Sequence, residues 1–319
     1  MCIILNRKYK TWIIKGSRFL SQLFFFILFG NITILFGFAL GFENLQTANL
    51  GIPVPVNQPI AAPYTTTFNL FELIQWEFSH AIFPLLSIGL LLLYGAILGN
   101  GYCGWVCPFG FIQELMGWVP VKKKIPSRET NETFGKLKYG LLVISIFVSL
   151  WVGYMVLSGE ITAANRDISM FGVFVDIFSA PISQSNTLLS LIPTSIIEAP
   201  FSGVSGTIWD VLIAFPWFFF RIVLLLIILL ISAYISRFWC RYLCPTGALT
   251  GLFNKFRIIY LARDPAKCLG KKCHECEDVC PMGVRILDNP WQRIQANDCI
   301  MCMKCYNVCD KEALKLRIF

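Results

Sequence analysis

Four stretches of this chain stay apolar for long enough to cross a bilayer, and polar breaks separate them. A membrane-spanning helix needs about 20 mostly apolar residues at 1.5 Å each. The stretches run from Phe19 to Phe42, from about His80 to Asn100, from Tyr139 to Gly159, and from Val211 to Ser236. The last carries Arg221 as its only charge. The first is basic and then apolar, like a secretion signal, but it is long and no small-residue cleavage site stands out, which predicts a retained span. Two of the breaks hold shorter apolar pieces, such as "FGVFVDIF" and "LLSLIPTSII". These are too short to span and suit interfacial or re-entrant segments. Past residue 262 the apolar runs stop and cysteines punctuate short polar segments. The pattern predicts an α-helical integral membrane protein: four transmembrane helices in two hairpins, then a small C-terminal α+β domain.

Composition agrees. Of the 319 residues 56% are hydrophobic and 14% charged, where soluble domains carry about 25% charged residues. A net charge of +8 invites a nucleic-acid reading. The basic residues instead cluster beside the apolar spans, so no nucleic-acid partner is expected. Their distribution sets the orientation. Arg7, Lys8, Lys10, Lys15 and Arg18 precede the first span, and Lys122, Lys123, Lys124, Arg128, Lys136 and Lys138 fill the second break. The segment after the fourth span is also strongly basic, whereas residues 43–77 hold no Lys or Arg and the loop after the third span holds only Arg166. Both termini are therefore expected in the cytoplasm, in a multi-pass protein of the cell membrane.

A repeat divides the chain. "GYCGWVCPFGFIQEL" (101–115) and "FWCRYLCPTGALTGL" (238–252) share C-x-x-x-C-P-x-G, and each follows the second helix of a pair. Duplicated bundles commonly place their site where the halves meet. The expected organisation is a basic arm (1–18), a first hairpin with its outer loop (19–100), a cytoplasmic loop with the first motif (101–138), a second hairpin with a long outer loop (139–236), the second motif (237–262) and the cysteine-rich domain (263–319).

That last domain contains Cys268-x4-Cys273-x2-Cys276-x3-Cys280-Pro281 and Cys299-x2-Cys302-x2-Cys305-x3-Cys309. A tight C-x-x-C-x-x-C loop reaches three irons of a cubane, and the fourth thiolate comes from elsewhere. The pattern resembles two-cluster bacterial ferredoxins, in which the last cysteine of each run ligates the other cluster. Carried over, the resemblance implies one [4Fe–4S] cluster on Cys268, Cys273, Cys276 and Cys309 and a second on Cys299, Cys302, Cys305 and Cys280. Two departures are the x4 spacing after Cys268 and Asp310 where a proline is usual. Zinc would need only paired C-x-x-C units and leaves the four-cysteine runs unexplained. No C-x-x-C-H occurs, and of the two histidines only His80 touches a span, so haem is not expected. His274 reads as a solvated loop residue.

Cys103/Cys107 and Cys240/Cys244 leave three readings open. On a helix the i, i+4 spacing puts both thiols on one face, while the following proline suits the first turn of a new helix. The four thiols could ligate a further cluster or another metal, form redox-active disulfides, or be buried structural residues.

Together these motifs resemble the NapH-type membrane subunit of quinol dehydrogenases, and the core also resembles the C-terminal part of NosR and the protein CcoG. The likeness covers nearly the whole chain from the first span. It implies an electron-transfer subunit in a hetero-oligomeric membrane complex, exchanging electrons between the quinone pool and a ferredoxin-type or cytochrome partner, in either direction. NosR has a further outer domain and CcoG usually has one after the clusters; neither is expected here. The competing function is a CcoG- or NosR-type metal reductase, acting on copper, or a maturation factor. A bare membrane anchor ranks last. Quinol oxidation needs a proton acceptor beside an apolar slot, and ionisable residues at spans are candidates by default. Glu72, Glu77, His80 and Arg221 form the expected quinone set, with the alternative that Glu77, His80 and Trp76 merely mark the interface.

Overall fold

The computed structural model describes residues 2–30, 52–57, 67–124, 126–162, 174–192 and 216–318. Parts of the expected first and fourth spans, and of both short apolar loop pieces, lie outside those residues.

Three helices are long and apolar enough to cross a membrane: Thr11–Phe29, Glu129–Leu157 and Pro216–Tyr234. The first belongs to α1 (Cys2–Gly30), so the basic stretch before residue 19 is itself helical. Arg18 and Gln22 of α1 are buried. Within the expected second span the helix is α3 (Leu85–Ile97), preceded by a separate helix α2 (Leu70–Ser79). With 13 residues α3 is about 20 Å long, short of a hydrocarbon core of about 30 Å. Its ends have local causes. Ala81 is left-handed and Pro84 caps the N-terminus. Gly99 is left-handed at the other end, where a Cβ would stand 2.3 Å from Asn254 Oδ1.

The long helices place the rest. In α4 (Gly101–Trp105) and α5 (Pro108–Met116) lies the first C-x-x-x-C-P motif. Next come α6 (Arg128–Gly135) and α7 (Leu137–Leu157), the latter apolar all round as a lipid-facing helix must be. The last of the three long apolar helices is α8 (Pro216–Tyr234), followed by α9 (Phe238–Tyr242) and α10 (Pro245–Leu252) with the second motif.

α2 stands beside α7. Its N-cap Asn69 donates Nδ2 to Thr246 Oγ1 at 3.0 Å, next to the second motif. Its far end meets Gly153, where a Cβ would come 2.1 Å from Phe78 O. Residues 52–57 and 183–187 also run deep: Val56, Asn57, Ser183, Gln184, Ser185 and Thr187 are all buried. Ser183 and Ser185 both donate to Asn57 Oδ1, at 3.1 and 2.9 Å. The loops after the first and third spans therefore re-enter the bundle and meet inside it. Irregular backbone at that depth is tolerated because protein, not lipid, surrounds it.

The tail is a small α+β unit. Strand β1 (Ile259–Arg263) pairs antiparallel with β2 (Leu314–Ile318), from Ile259 opposite Ile318 to Arg263 opposite Leu314. The short helices α11 (Glu275–Asp278) and α12 (Lys304–Val308) lie between. The tail packs tightly against the motif end of the bundle. A Cβ on Gly104 would fall 2.1 Å from Ile300 O. Trp105 Nε1 donates to Met301 O at 2.9 Å, Asn100 Nδ2 to Asn297 O at 2.9 Å, and Lys138 pairs with Asp298.

Candidate metal centres

Both membrane-proximal motifs build the same local structure. Cys107 and Cys244 are N-caps, each followed by a proline at the first helical position. There the sulfur takes the place of the usual capping oxygen. Cys107 Sγ accepts from Gly110 N at 3.4 Å and Cys244 Sγ from Gly247 N at 3.3 Å. A helix N-terminus favours negative charge, so it favours the thiolate.

The halves interlock at equivalent positions. Gln113 stands six residues after Cys107, as Thr250 stands six after Cys244. Gln113 Nε2 donates to Cys240 Sγ at 3.1 Å, and its Oε1 accepts from Trp239 N at 3.0 Å. Thr250 donates to Asn100 Oδ1, which also accepts from Cys103 Sγ at 3.5 Å. Arg237, three residues before Cys240, donates Nη1 to Cys103 O at 2.9 Å. All four cysteines are buried. Burial raises the Cys103 thiol well above its ordinary value, and the neighbouring sulfurs of Cys107, Cys244 and Cys240 push the same way. Burial lifts Cys107 to about 11. Such thiols stay neutral unless something cationic binds them, and a metal or an iron–sulfur core is the chemistry that makes them thiolates.

The tail cysteines fall into two groups. Cys268, Cys273, Cys276 and Cys309 all line one cavity of about 120 Å³. Burial takes Cys276 to about 11, with Glu277, Cys268 and Cys309 adding to it. The other group lies closer to the bundle. Burial takes Cys280 to about 12, reinforced by Cys302 and Cys299. Cys305 is raised well up by burial, then by Cys302, Cys299 and Cys280. Each run's last cysteine thus neighbours the other run. Their sulfurs are held alike: Val284 N donates to Cys280 Sγ at 3.3 Å and Ala313 N to Cys309 Sγ at 3.4 Å. The buried Arg257 donates to Cys299 O at 3.2 Å and approaches Cys299 Sγ at 3.6 Å. Among the described residues no three His, Cys, Asp or Glu side chains converge as a single ion demands. A cubane asks for less convergence, because each thiolate binds a different iron. With four thiols per group and backbone N–H donors on the sulfurs, these residues fit such a cluster.

Glu114 ties the centres together. Arg18 and Arg237, at 2.9 Å, share its Oε2, and Lys304 reaches Oε1 at 3.0 Å. Burial alone would raise this carboxyl, but Arg237, Arg18 and Lys304 outweigh that and hold it well below the usual carboxylate range. Arg237 stands near both Cys240 and Cys302, so one guanidinium lies between the membrane-proximal thiols and the tail. Spacing alone did not single out Gln113, Asn100, Arg237 or Glu114. Their fixed offsets from the repeated cysteines were the available signal.

The expected quinone set is divided. Arg221 lines an open cavity of about 620 Å³ with Trp76, Trp217 and Asp176. His80 borders it, stacked on Trp76 with ring centroids 4.2 Å apart and Nε2 3.9 Å from Asp176. Glu72 faces inward instead, into a small chamber with Asn57, Asn69, Ser145 and Thr246 beside the apolar Phe178, Trp239 and Leu243. Glu77 lines neither. His274 is exposed, beside Glu277.

Residues 80–126 and 217–260 match the family described as 4Fe-4S binding domain; these are the segments with the paired motifs. Several proteins are similar to the chain. An uncharacterised protein of Methanocaldococcus jannaschii, MJ0749, is 29% identical over 70% of this chain and 66% of its own length. The ferredoxin-type protein NapH of Haemophilus influenzae is 26% identical over 72% of this chain and 67% of its own length. The regulatory protein NosR of Pseudomonas aeruginosa is 27% identical over 74% of this chain. The chain thus spans about two thirds of the first two and 27% of NosR. No solved structure matches it.

Proposed function

We propose, on the premise that this is a ferredoxin-type membrane electron-transfer protein of the NapH and NosR kind, that it relays electrons between the quinone pool and a partner redox protein. The observation that carries this reading is the graded burial of twelve cysteines in three adjoining groups. Cys103, Cys107, Cys240 and Cys244 are buried in the bundle end. Cys302 and Cys305 are buried beside them, while Cys268, Cys273, Cys276 and Cys309 are partly exposed.

We assign a [4Fe–4S] cluster to Cys268, Cys273, Cys276 and Cys309, and another to Cys299, Cys302, Cys305 and Cys280. The membrane-proximal four hold a further iron–sulfur centre, a reading supported by the family match over both motifs. Bound clusters supply one-electron redox chemistry. The chain's own residues exclude water, donate N–H to sulfur and set charge beside each group. Arg237, between Cys240 and Cys302, lowers the cost of negative charge on either side. The exposed group suits exchange with a soluble partner. The basic ends of the spans support a cytoplasmic location for both termini and the tail, with α3, backed by α2, as a short second crossing of the cell membrane.

Anaerobic purification of the full chain tests the proposal. Iron and sulfide should be present, with paramagnetic signals after dithionite, and quinol should bleach the cluster absorbance. Zinc or copper in place of iron would overturn it.

A further inference from the structure

The outer cavity beside Arg221 is badly placed for electron exchange. Arg221 lies 13 residues before the end of α8 at Tyr234, about 20 Å at 1.5 Å per residue, with the turn to α9 and Cys240 beyond it, and no cysteine lines that cavity. A second cavity, of about 480 Å³, opens at the other end of the bundle, between α1, α5 and α12. It lies within the usual size range for small-molecule pockets. Its walls include Cys302.

Three features of this cavity describe its ligand. One wall is aromatic: Phe19 stacks on Trp118 with centroids 5.7 Å apart and meets Phe111 edge-on at 5.6 Å. The other wall is polar, with Arg18 and Gln22 almost fully buried and Lys304 and Asn307 from the tail. Trp12, Leu20 and Phe24 of α1 and Trp118 are exposed apolar side chains, so the mouth lies where a spanning helix leaves lipid, the usual depth of tryptophan. A flat, partly apolar ring with hydrogen-bonding oxygens and a lipid tail fits all three.

We infer that this cavity, between α1 and the cysteine tail, is where a quinone headgroup docks and exchanges electrons with the centre held by Cys302. The inference rests on the relay reading above and adds its point of contact with lipid. The aromatic wall would stack on one face of the ring, while Asn307 and Lys304, the latter also paired with Glu114 at 3.0 Å, line the side offered to its oxygens. Oxidation of one quinol breaks two O–H bonds. Two protons would leave to water at the mouth, where Lys15 is exposed, and a cluster held by Cys302 and its group would accept the two electrons one at a time. In the opposite direction the same atoms balance in reverse.

Photolabelling of the full-length protein with a short-tailed azidoquinone, mapped by peptide mass spectrometry, tests the placement. Label is expected on residues 14–22, 111–118 or 304–308. Val308→Trp, which fills the cavity, should weaken binding of the same quinone by about tenfold or more, and Trp118→Ala should weaken it as well. Trp217→Ala, in the other cavity, should change it less than about twofold. Label around Trp76 and Trp217, with quinol still reducing the clusters, would overturn this placement and leave the relay standing. Failure of quinol to reduce any cluster would overturn both. Displacement of the label by quinone-free phosphatidylglycerol vesicles would make the cavity a lipid headgroup site and overturn the inference. The wild-type labelling map decides even if Val308→Trp fails to fold.

Discussion

Gln113 Nε2 stands 3.1 Å from Cys240 Sγ, so a side chain of the first half donates to a sulfur of the second. Its Oε1 meanwhile accepts from Trp239 N, fixing the amide's orientation. A hydrogen bond to a ligand sulfur stabilises the more electron-rich, reduced centre. Gln113→Leu keeps much of the volume and removes both bonds. Redox titration should show a lower midpoint potential for the membrane-proximal centre, with both tail signals unmoved. A shift confined to the tail signals would remove Gln113 from this site.

The repeated motif and the two cysteine runs were legible in the sequence because their chemistry lies in local spacing. Three apolar helices were legible for the same reason. The second span's place was legible but its length was not, because left-handed Ala81 and Pro84 delay the start of α3 to Leu85 through their backbone. Glu114 was silent for another reason. Its partners Arg18 and Arg237 lie 96 and 123 positions away, and nothing local pairs them. The re-entrant meeting of Asn57 with Ser183 and Ser185 is equally non-local.

Cys103→Ser combined with Cys240→Ser tests the third centre. Each serine removes one thiolate from a different half, and the hydroxyl is a far poorer ligand for iron. Iron should fall by about four atoms per chain, while the two tail signals persist. Unchanged iron would return these cysteines to the structural or disulfide readings.

The crossed ligand sets make opposite predictions for two equivalent cysteines. Cys309→Ser should perturb the signal of the Cys268 group, whose cavity it lines. Cys280→Ser should perturb the group of Cys299, Cys302 and Cys305, its sulfur neighbours. Paramagnetic resonance of the two variants separates the alternatives. If each serine disturbed its own run instead, the crossing would be wrong.

Gly104 is one of the points where the bundle and tail approach closely. An alanine Cβ would meet the backbone carbonyl of Ile300, which has no rotamer to give way. Overpacking of this kind costs about 1–3 kcal/mol, and here the strain falls on the tail's docking. Gly104→Ala should therefore speed proteolysis of the tail. Gly140→Ala, with open space around it, should not. Equal proteolysis rates would show that the tail docks without this contact.

Glu114→Gln removes the anion shared by Arg18, Arg237 and Lys304 and keeps the side chain's shape. Arg237 is 2% exposed, and breaking a buried pair by removing one partner costs about 3–5 kcal/mol, well above the 0–1 kcal/mol or so of a surface pair. The pH dependence has a definite sign. The carboxyl is held low in the folded chain, so its stabilisation is fully present above the unfolded value of about 4.3 and is lost as pH falls toward the folded one. The stability gap between wild type and Glu114→Gln should be flat from about pH 5 to 8 and close only below about pH 4. Thermal unfolding followed by tryptophan fluorescence at each pH measures it. A gap that vanished near neutrality would mean that solvent, not these three cations, sets the charge of Glu114.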